Sequence, residues 1–351
     1  MELTSPQDQG GLQRFRICYI GAAPQESTAE YRIRALRRLG QEVTVLDLTH
    51  FTNKNRWIER LRYRCPVGPL ITAINQAAVE MVRRTEAELV ILDKPIHFTP
   101  HTIRAIQSTG AKVIIFMQDN PFGPRKDGCW HQFYRIYRMV DLYCAIRSTD
   151  VKRCEQWGLP YVSLMLSYEP TVHFAPAEDW TDAQRNREIS YIGHPYENRP
   201  AFLLQLGDNF GLPICISGNA WDKVLTSDQK NTYFREGYLL GKKYREAIWR
   251  SKINLSFVTE TNEEDIAHKA VETAACGGFL LALRTAGHQA CFVEDREAVF
   301  FSDIEECAQK AAYYLAHSEE REAIARAGCQ RALNSGYSND AQLAKLLRYF
   351  Q

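Results

Sequence analysis

The sequence predicts an α/β protein built from two Rossmann-like, doubly wound domains in tandem, and three observations predict it. The 351 residues are two domains' worth at about 150 residues per domain. Short, wholly apolar runs alternate with amphipathic helix-like stretches, the pattern of parallel sheets covered on both faces. That alternation stops over a polar stretch near the middle and then starts afresh. The composition, 45% hydrophobic and 24% charged, is that of an ordinary soluble globular protein and excludes disorder, collagen and coiled coil as descriptions of the whole.

The elements follow in order. From Phe15 the apolar run Ile17-Cys18-Tyr19-Ile20 ends at Gly21, a helix-like stretch reaches Leu39-Gly40, and Val43-Thr44-Val45-Leu46 follows: strand, helix, strand. Ala73 to Thr85 reads as a helix, Leu89–Leu92 as a buried strand, Pro100 to Gly110 as a helix and Val113–Met117 as a strand, and Leu142–Ala145 and Tyr161–Leu164 complete the first set. Pro170 to Glu188 turns polar and reads as a linker. The second set is the strand Ile189–Ile192 meeting Gly193, a helix at Ala201–Leu206, strands at Pro213–Ser217 and Ile253–Phe257, a helix around 263–276, strands at Phe279–Ala282 and Ala298–Phe301, and a long helical tail from Ile304. The expected domains are 1–175, a linker 176–188, 189–335, and a final helix within 336–351 that returns to the first domain.

Charge and cysteine usage narrow the function classes. With 43 Lys+Arg against 42 Asp+Glu the formal charge is +1, so no global field draws in nucleic acid. The ten cysteines are scattered without a C-x-x-C pair, which makes free thiols and a reducing, cytoplasmic location the expectation. Met1 to Gly11 lacks a cationic-then-apolar pattern, and no stretch reaches the roughly 18 apolar residues that span a bilayer. The basic run Arg56 to Arg64 interleaves cations with aromatic residues; it reads either as a solvated helix face or as a contact for an anionic acceptor or a membrane surface.

Ligands of open parallel sheets sit beyond the carboxyl ends of the strands, so the loops after those ends hold the chemistry. The richest stretch is Asn262 to Gly278. Asn262 is a plausible N-cap with Asp265 as the partner of a capping box, and a helix tip there would offer amides and a positive dipole end to a diphosphate. Glu264 and Glu272, eight residues apart, would lie roughly 12 Å apart on that helix, too far for a retaining-hydrolase pair but suited to two ends of one long ligand. Other candidates carry two readings each. Asp119 in Gln-Asp-Asn-Pro orients an acceptor hydroxyl or is turn chemistry, and Lys94 meets a phosphate or an internal carboxylate. Lys252 points at phosphates or caps a sheet edge, and Trp221 stacks on a base or covers the core. His97 and His101 have metal-like spacing, but Pro95 and Pro100 make the segment a loop without a third ligand; His194 and His288 are lone loop histidines.

The run from Asn262 to Arg284, continued in His288, Phe292, Glu297–Phe301, Tyr313–His317, Glu319-Glu320-Arg321 and Gly336-Tyr337-Ser338, resembles the carboxyl-terminal half of CgeB-like glycosyltransferases, a branch of the retaining GT-B nucleotide-sugar transferases. Arg32 to Gly40, Leu92-Asp93-Lys94 and Gln118-Asp119-Asn120-Pro121 resemble the amino-terminal half more loosely. The resemblance implies a GT-B fold with two Rossmann-like domains facing across a cleft, and transfer of a sugar from a nucleotide donor such as a UDP-sugar. Glu264 and Glu272 match its E-x7-E spacing, for donor sugar and ribose hydroxyls respectively. Gly193 matches its glycine loop, Arg199 a basic residue that reaches the donor phosphates, and Ser217–Trp221 the loop near the base. Lys269 stands where the branch usually has Arg and Val271 where it usually has Phe. The leaving diphosphate would be held by Arg199, Lys252, Lys269 and the Asp265-Ile266-Ala267 amides, with Asp119 and Glu264 catalytic and Gly21 and Lys94 on the acceptor side. No Asp-x-Asp occurs, so no metal cofactor is expected. The acceptor is a glycan, lipid-linked or small-molecule hydroxyl, its choice set by the loops Gly21–Thr28, Asn53–Pro69 and Asn120–Trp130. A sugar-nucleotide epimerase, a phosphorylase, and a catalytically silent glycan-binding or structural protein on the same fold stay open.

Overall fold

A computed structural model describes residues 11–52, 55–124, 128–178 and 180–351. Most of the polar start Met1 to Gly11, and parts of the loops Asn53–Pro69 and Asn120–Trp130 and of the linker 176–188, lie outside the described residues. The chain divides into two compact units: one ends at Met165 and takes in Thr261–Glu263 and Asn339–Gln351, and the other comprises Leu166–Glu260 and Glu264–Ser338.

The amino-terminal unit holds β1 (Arg16–Gly21), β2 (Glu42–Asp47), β3 (Leu89–Asp93), β4 (Lys112–Phe116), β5 (Leu142–Ala145) and β6 (Tyr161–Ser163), all parallel, in the spatial order β2-β1-β3-β4-β5-β6. The apolar runs form strands because helices cover both faces, leaving side chains such as Val90, Ile114 and Ile115 fully buried. The strand order reverses between β1 and β3, which opens a crevice at their carboxyl ends. A polar triad is buried there: Arg32, on the helix Thr28–Arg38, reaches Asp93 at 2.6 Å and the Tyr19 hydroxyl at 3.0 Å, and that hydroxyl donates to Asp93 at 2.6 Å. The helix Asn339–Arg348 packs on Thr28–Arg38, where Arg38 donates to both oxygens of Asp340 at 2.9 and 2.7 Å.

The carboxyl-terminal unit holds β7 (Arg187–Ile192), β8 (Ile214–Ser217), β9 (Phe234–Glu236), β10 (Ser251–Ser256), β11 (Leu280–Leu283) and β12 (Val299–Phe301), again all parallel, in the order β12-β11-β10-β7-β8-β9. Its reversal lies between β7 and β10. β9 was not expected: it is a three-residue edge strand, Phe-Arg-Glu, without an apolar run to betray it. The helical tail is three helices, Ile304–Ala316, Ser318–Asn334 and Asn339–Arg348. Residues 166–175 pack in this unit, with Glu169 and His173 buried, and the stretch read as a linker carries a short helical turn, Asp182–Gln184, whose Asp182 pairs with the buried Arg321.

The helix expected around 263–276 is the largest correction. It runs only from His268 to Ala275, with Ala267 as its N-cap residue and no side-chain cap. Asn262 does not cap it, because its side-chain oxygen accepts the Asn120 N–H at 2.7 Å within the amino-terminal unit. None of the ten cysteines forms a disulfide, and among the described residues no helix is long and apolar enough to cross a membrane.

The Asp93 triad yields a stability prediction. Arg32→Ala leaves a buried carboxylate facing only a phenol, at a cost of about 3 kcal/mol. Urea denaturation reads this directly, and a loss below about 1 kcal/mol would contradict the triad's role.

Candidate functional site

The carboxyl edge of the second sheet is organised at its switch point. Arg199 opens the helix Arg199–Asp208 after β7, and one end of its buried guanidinium donates to the Val258 carbonyl and the Thr259 hydroxyl at 3.0 and 2.9 Å, just beyond β10. The other end donates to the Tyr191 hydroxyl at 3.0 Å. Arg199 therefore ties the loops after β7 and β10 together, although its buried Nε has no partner among the described residues. This differs from the expectation of a residue extended toward phosphates.

Gly193 and Gly218 let the loops after β7 and β8 close on one another. A Cβ on Gly218, whose φ is +135°, would lie 2.0 Å from the Gly193 carbonyl oxygen. The Gly193 N–H donates to Ser217 at 2.9 Å, and the Gly193 carbonyl accepts the Trp221 indole N–H at 2.8 Å. Both polar groups of the Gly193 peptide are thus engaged within the protein. Trp221 is fully buried against this turn, so it covers the core and is not a base-stacking platform. Lys252 is also corrected: it lies at the amino end of β10 and pairs with Glu188 at 2.8 Å, on the edge of the sheet opposite the carboxyl-end loops.

The segment before the helix His268–Ala275 is pinned from below. The Thr285 hydroxyl donates to the Asp265 carbonyl at 2.6 Å, Ile266 and Ala267 are buried, and the Ala267 N–H donates to His288 Nε2 at 3.2 Å. His288 Nδ1 meets the Leu283 carbonyl at 2.7 Å, so the ring is the neutral tautomer with its proton on Nδ1. The Ala267 amide is consequently taken, and the uncapped helix tip consists of the amides of His268 and Lys269. Glu264 precedes the helix; its carboxylate accepts the Thr259 N–H at 2.7 Å, and the two-turn helical spacing to Glu272 does not hold.

Glu272 lies on that helix and is buried. It accepts the Tyr244 hydroxyl at 2.9 Å and has His268 Nε2 at 3.5 Å and His173 Nε2 at 3.7 Å. Burial pushes its carboxyl up, but His268, His173 and Lys269, with the Tyr244 hydroxyl, outweigh this and hold it down at about 2. Lys269 sits with its ammonium 4.8 Å from the centre of the Tyr244 ring and makes no hydrogen bond or ion pair among the described residues. Burial lowers its pKa, an effect that Glu272 opposes and Arg199 reinforces. His173 and Tyr244 were missed from sequence because they stand far away along the chain; only His268, four residues before Glu272, had a local signal.

In the amino-terminal unit, Gly21, Lys94 and Asp119 gather at the carboxyl ends of β1, β3 and β4. A Cβ on Gly21 would lie 2.8 Å from Asp93 Cβ, so the β1 end closes directly on β3. Lys94, at φ +51°, pairs with Asp119 at 2.7 Å, and both are partly exposed; of the two partners open to Lys94 in sequence, this is the internal carboxylate.

A family model described as "Glycosyl transferase-like" matches residues 199–348. No curated protein matches the sequence. Among solved structures, HepE from Anabaena in complex with UDP-glucose is similar at 14% identity and a TM-score of 0.65, covering 95% of this chain and 100% of that one. Sucrose-phosphate synthase from Thermosynechococcus elongatus is similar at 11% identity and a TM-score of 0.66, covering 96% and 99%. A glycosyltransferase from Rickettsia africae reaches 12% and 0.66, covering 96% and 98%. These likenesses show the fold, two Rossmann-like domains of the GT-B class.

The buried His288 ring gives a pH prediction. Burial lowers its pKa from 6.5 to about 4, so between those values the unfolded chain holds a proton that the folded one does not. Stability is therefore lost as pH falls from about 6.5 to 4, by about 3 kcal/mol from this group. Urea midpoints at pH 7 and pH 4.5 should fall less in His288→Phe than in the wild type; equal falls would refute the assignment.

Proposed function

We propose that this chain is a retaining glycosyltransferase that moves a hexose from a nucleoside-diphosphate sugar to a hydroxyl acceptor without a metal ion. The observation that carries the reading is Lys269: a half-buried ammonium without a hydrogen-bond partner among the described residues, at the uncapped tip of a helix, on the carboxyl edge of a sheet at its switch point. Such a tip attracts an anion through its amides and dipole, and Lys269 adds a full charge to it. The match of residues 199–348 to a glycosyl-transferase-like family supports the same conclusion, and UDP is the first nucleotide to test because HepE is similar and binds UDP-glucose.

The chemistry follows from the groups present. As the bond from the sugar C1 to the phosphate oxygen breaks, negative charge grows on the diphosphate, and Lys269 with the His268 and Lys269 amides stabilises it without reorganising. The acceptor oxygen bonds to C1 on the face the phosphate leaves, and its proton passes to a phosphate oxygen, so configuration is retained. Glu272, ionised throughout the neutral range, accepts hydrogen bonds from the ribose hydroxyls, and Glu264 from the donor sugar. Arg199 acts through the loops it ties and is a positioning residue. On the acceptor side, Asp119, held by Lys94, orients the incoming hydroxyl beside Gly21.

Calorimetry with UDP, GDP and TDP tests the reading. One nucleotide should bind, and Lys269→Ala should weaken it at least tenfold, about 1.4 kcal/mol. A chain that binds none of the three is a silent scaffold, and binding indifferent to Lys269→Ala moves the site elsewhere. Transfer of sugar should persist in EDTA; its abolition would refute the metal-free mechanism.

A further inference from the structure

We propose that the helix Arg56–Arg64 in the amino-terminal unit is a docking face for an anionic lipid bilayer, a role that does not rest on the donor reading above. The helix is inside out for a protein in water. Trp57 is 75% exposed, Leu61 67% and Ile58 46%, while its charged pair, Glu59 with Arg62, is turned toward the protein, where Arg62 also donates to the Phe51 carbonyl. At 100° per residue, Arg60, Arg64, Trp57 and Leu61 fall on one arc of about 100°, so the outward face is an apolar strip edged by guanidinium groups. Neither Arg60 nor Arg64 has a carboxylate partner among the described residues, and the Arg60 guanidinium lies 5.4 Å from the centre of the Trp57 ring. Val67, 62% exposed, extends the apolar surface past the end of the helix.

Charge complementarity selects the occupant. The whole chain carries only +1, yet the nine residues of this helix hold four arginines against one glutamate. An apolar strip of Trp and Leu seats at the headgroup level of a bilayer, and arginines at its edge favour anionic over neutral lipid. The same residues wall an open cavity of about 890 Å³ that reaches back to His97, with room for a headgroup.

Flotation of the full chain with vesicles tests this, comparing phosphatidylcholine alone with phosphatidylcholine containing about one-third phosphatidylserine, at low and high salt. The chain should float with the anionic vesicles, stay behind with the neutral ones, and detach at high salt. Arg60→Gln with Arg64→Gln should weaken partitioning by about 25-fold, about fivefold for each arginine. Trp57→Ser with Leu61→Ser should weaken it at least tenfold, with unchanged thermal unfolding because both side chains are exposed. Three results would overturn the proposal: equal behaviour on both vesicles; a dimer in sedimentation that the Trp57 and Leu61 substitutions disperse, which would make a second copy the occupant; or capture of a soluble anionic glycan without vesicle binding.

Discussion

A carboxylate taken out of water has to be kept ionised by its neighbours or it takes up a proton, and Glu272 is kept ionised. Its partners come from three places in the chain: His173 from the segment after Leu166, Tyr244 from the helix Gly241–Trp249, and His268 and Lys269 from its own helix. Gathered on one carboxylate, these contacts tie those segments together at the carboxyl edge of the second sheet. The cluster leaves Lys269 beside a helix tip, with no hydrogen bond or ion pair among the described residues. Structure and proposed chemistry therefore draw on the same few charges.

The glycines and Arg199 complete that edge in a different way. Gly218 can pass within contact of the Gly193 carbonyl only because it lacks a Cβ, and Arg199 spends its guanidinium on Tyr191, Val258 and Thr259. These are costs in backbone freedom and cation burial that a surface loop would not need. Their effect is to hold the loops after β7, β8 and β10 together at the carboxyl edge of the sheet.

The fold was legible in the sequence because a strand buried on both faces is continuously apolar, and short runs such as Leu89–Leu92 and Val113–Met117, bounded by turn residues, carry that signature. Among the elements that escaped, all without that signature, are the polar edge strand Phe234–Glu236, the helices Ser148–Trp157 and Gly241–Trp249, and the start of the helix His268–Ala275. The helix start misled for a physical reason. Asn262 has the side chain of an N-cap, but an oxygen that caps can equally well accept from another backbone amide, here that of Asn120, and sequence does not rank the two. Trp221 and Lys252 fail similarly, since an aromatic ring after a glycine and a lysine beside a strand suit a ligand or the protein's own core and carboxylates equally. Glu272 and Lys269 were legible in identity, whereas the partners that give them their character lie too far along the chain to be seen.

A crystal structure of the chain with a bound nucleoside diphosphate tests the central claim most directly. The diphosphate should lie within hydrogen-bonding distance of Lys269 Nζ and the amides of His268 and Lys269, with the ribose toward Glu272. A nucleotide seated away from that helix tip, or no nucleotide at saturating concentration, would contradict it.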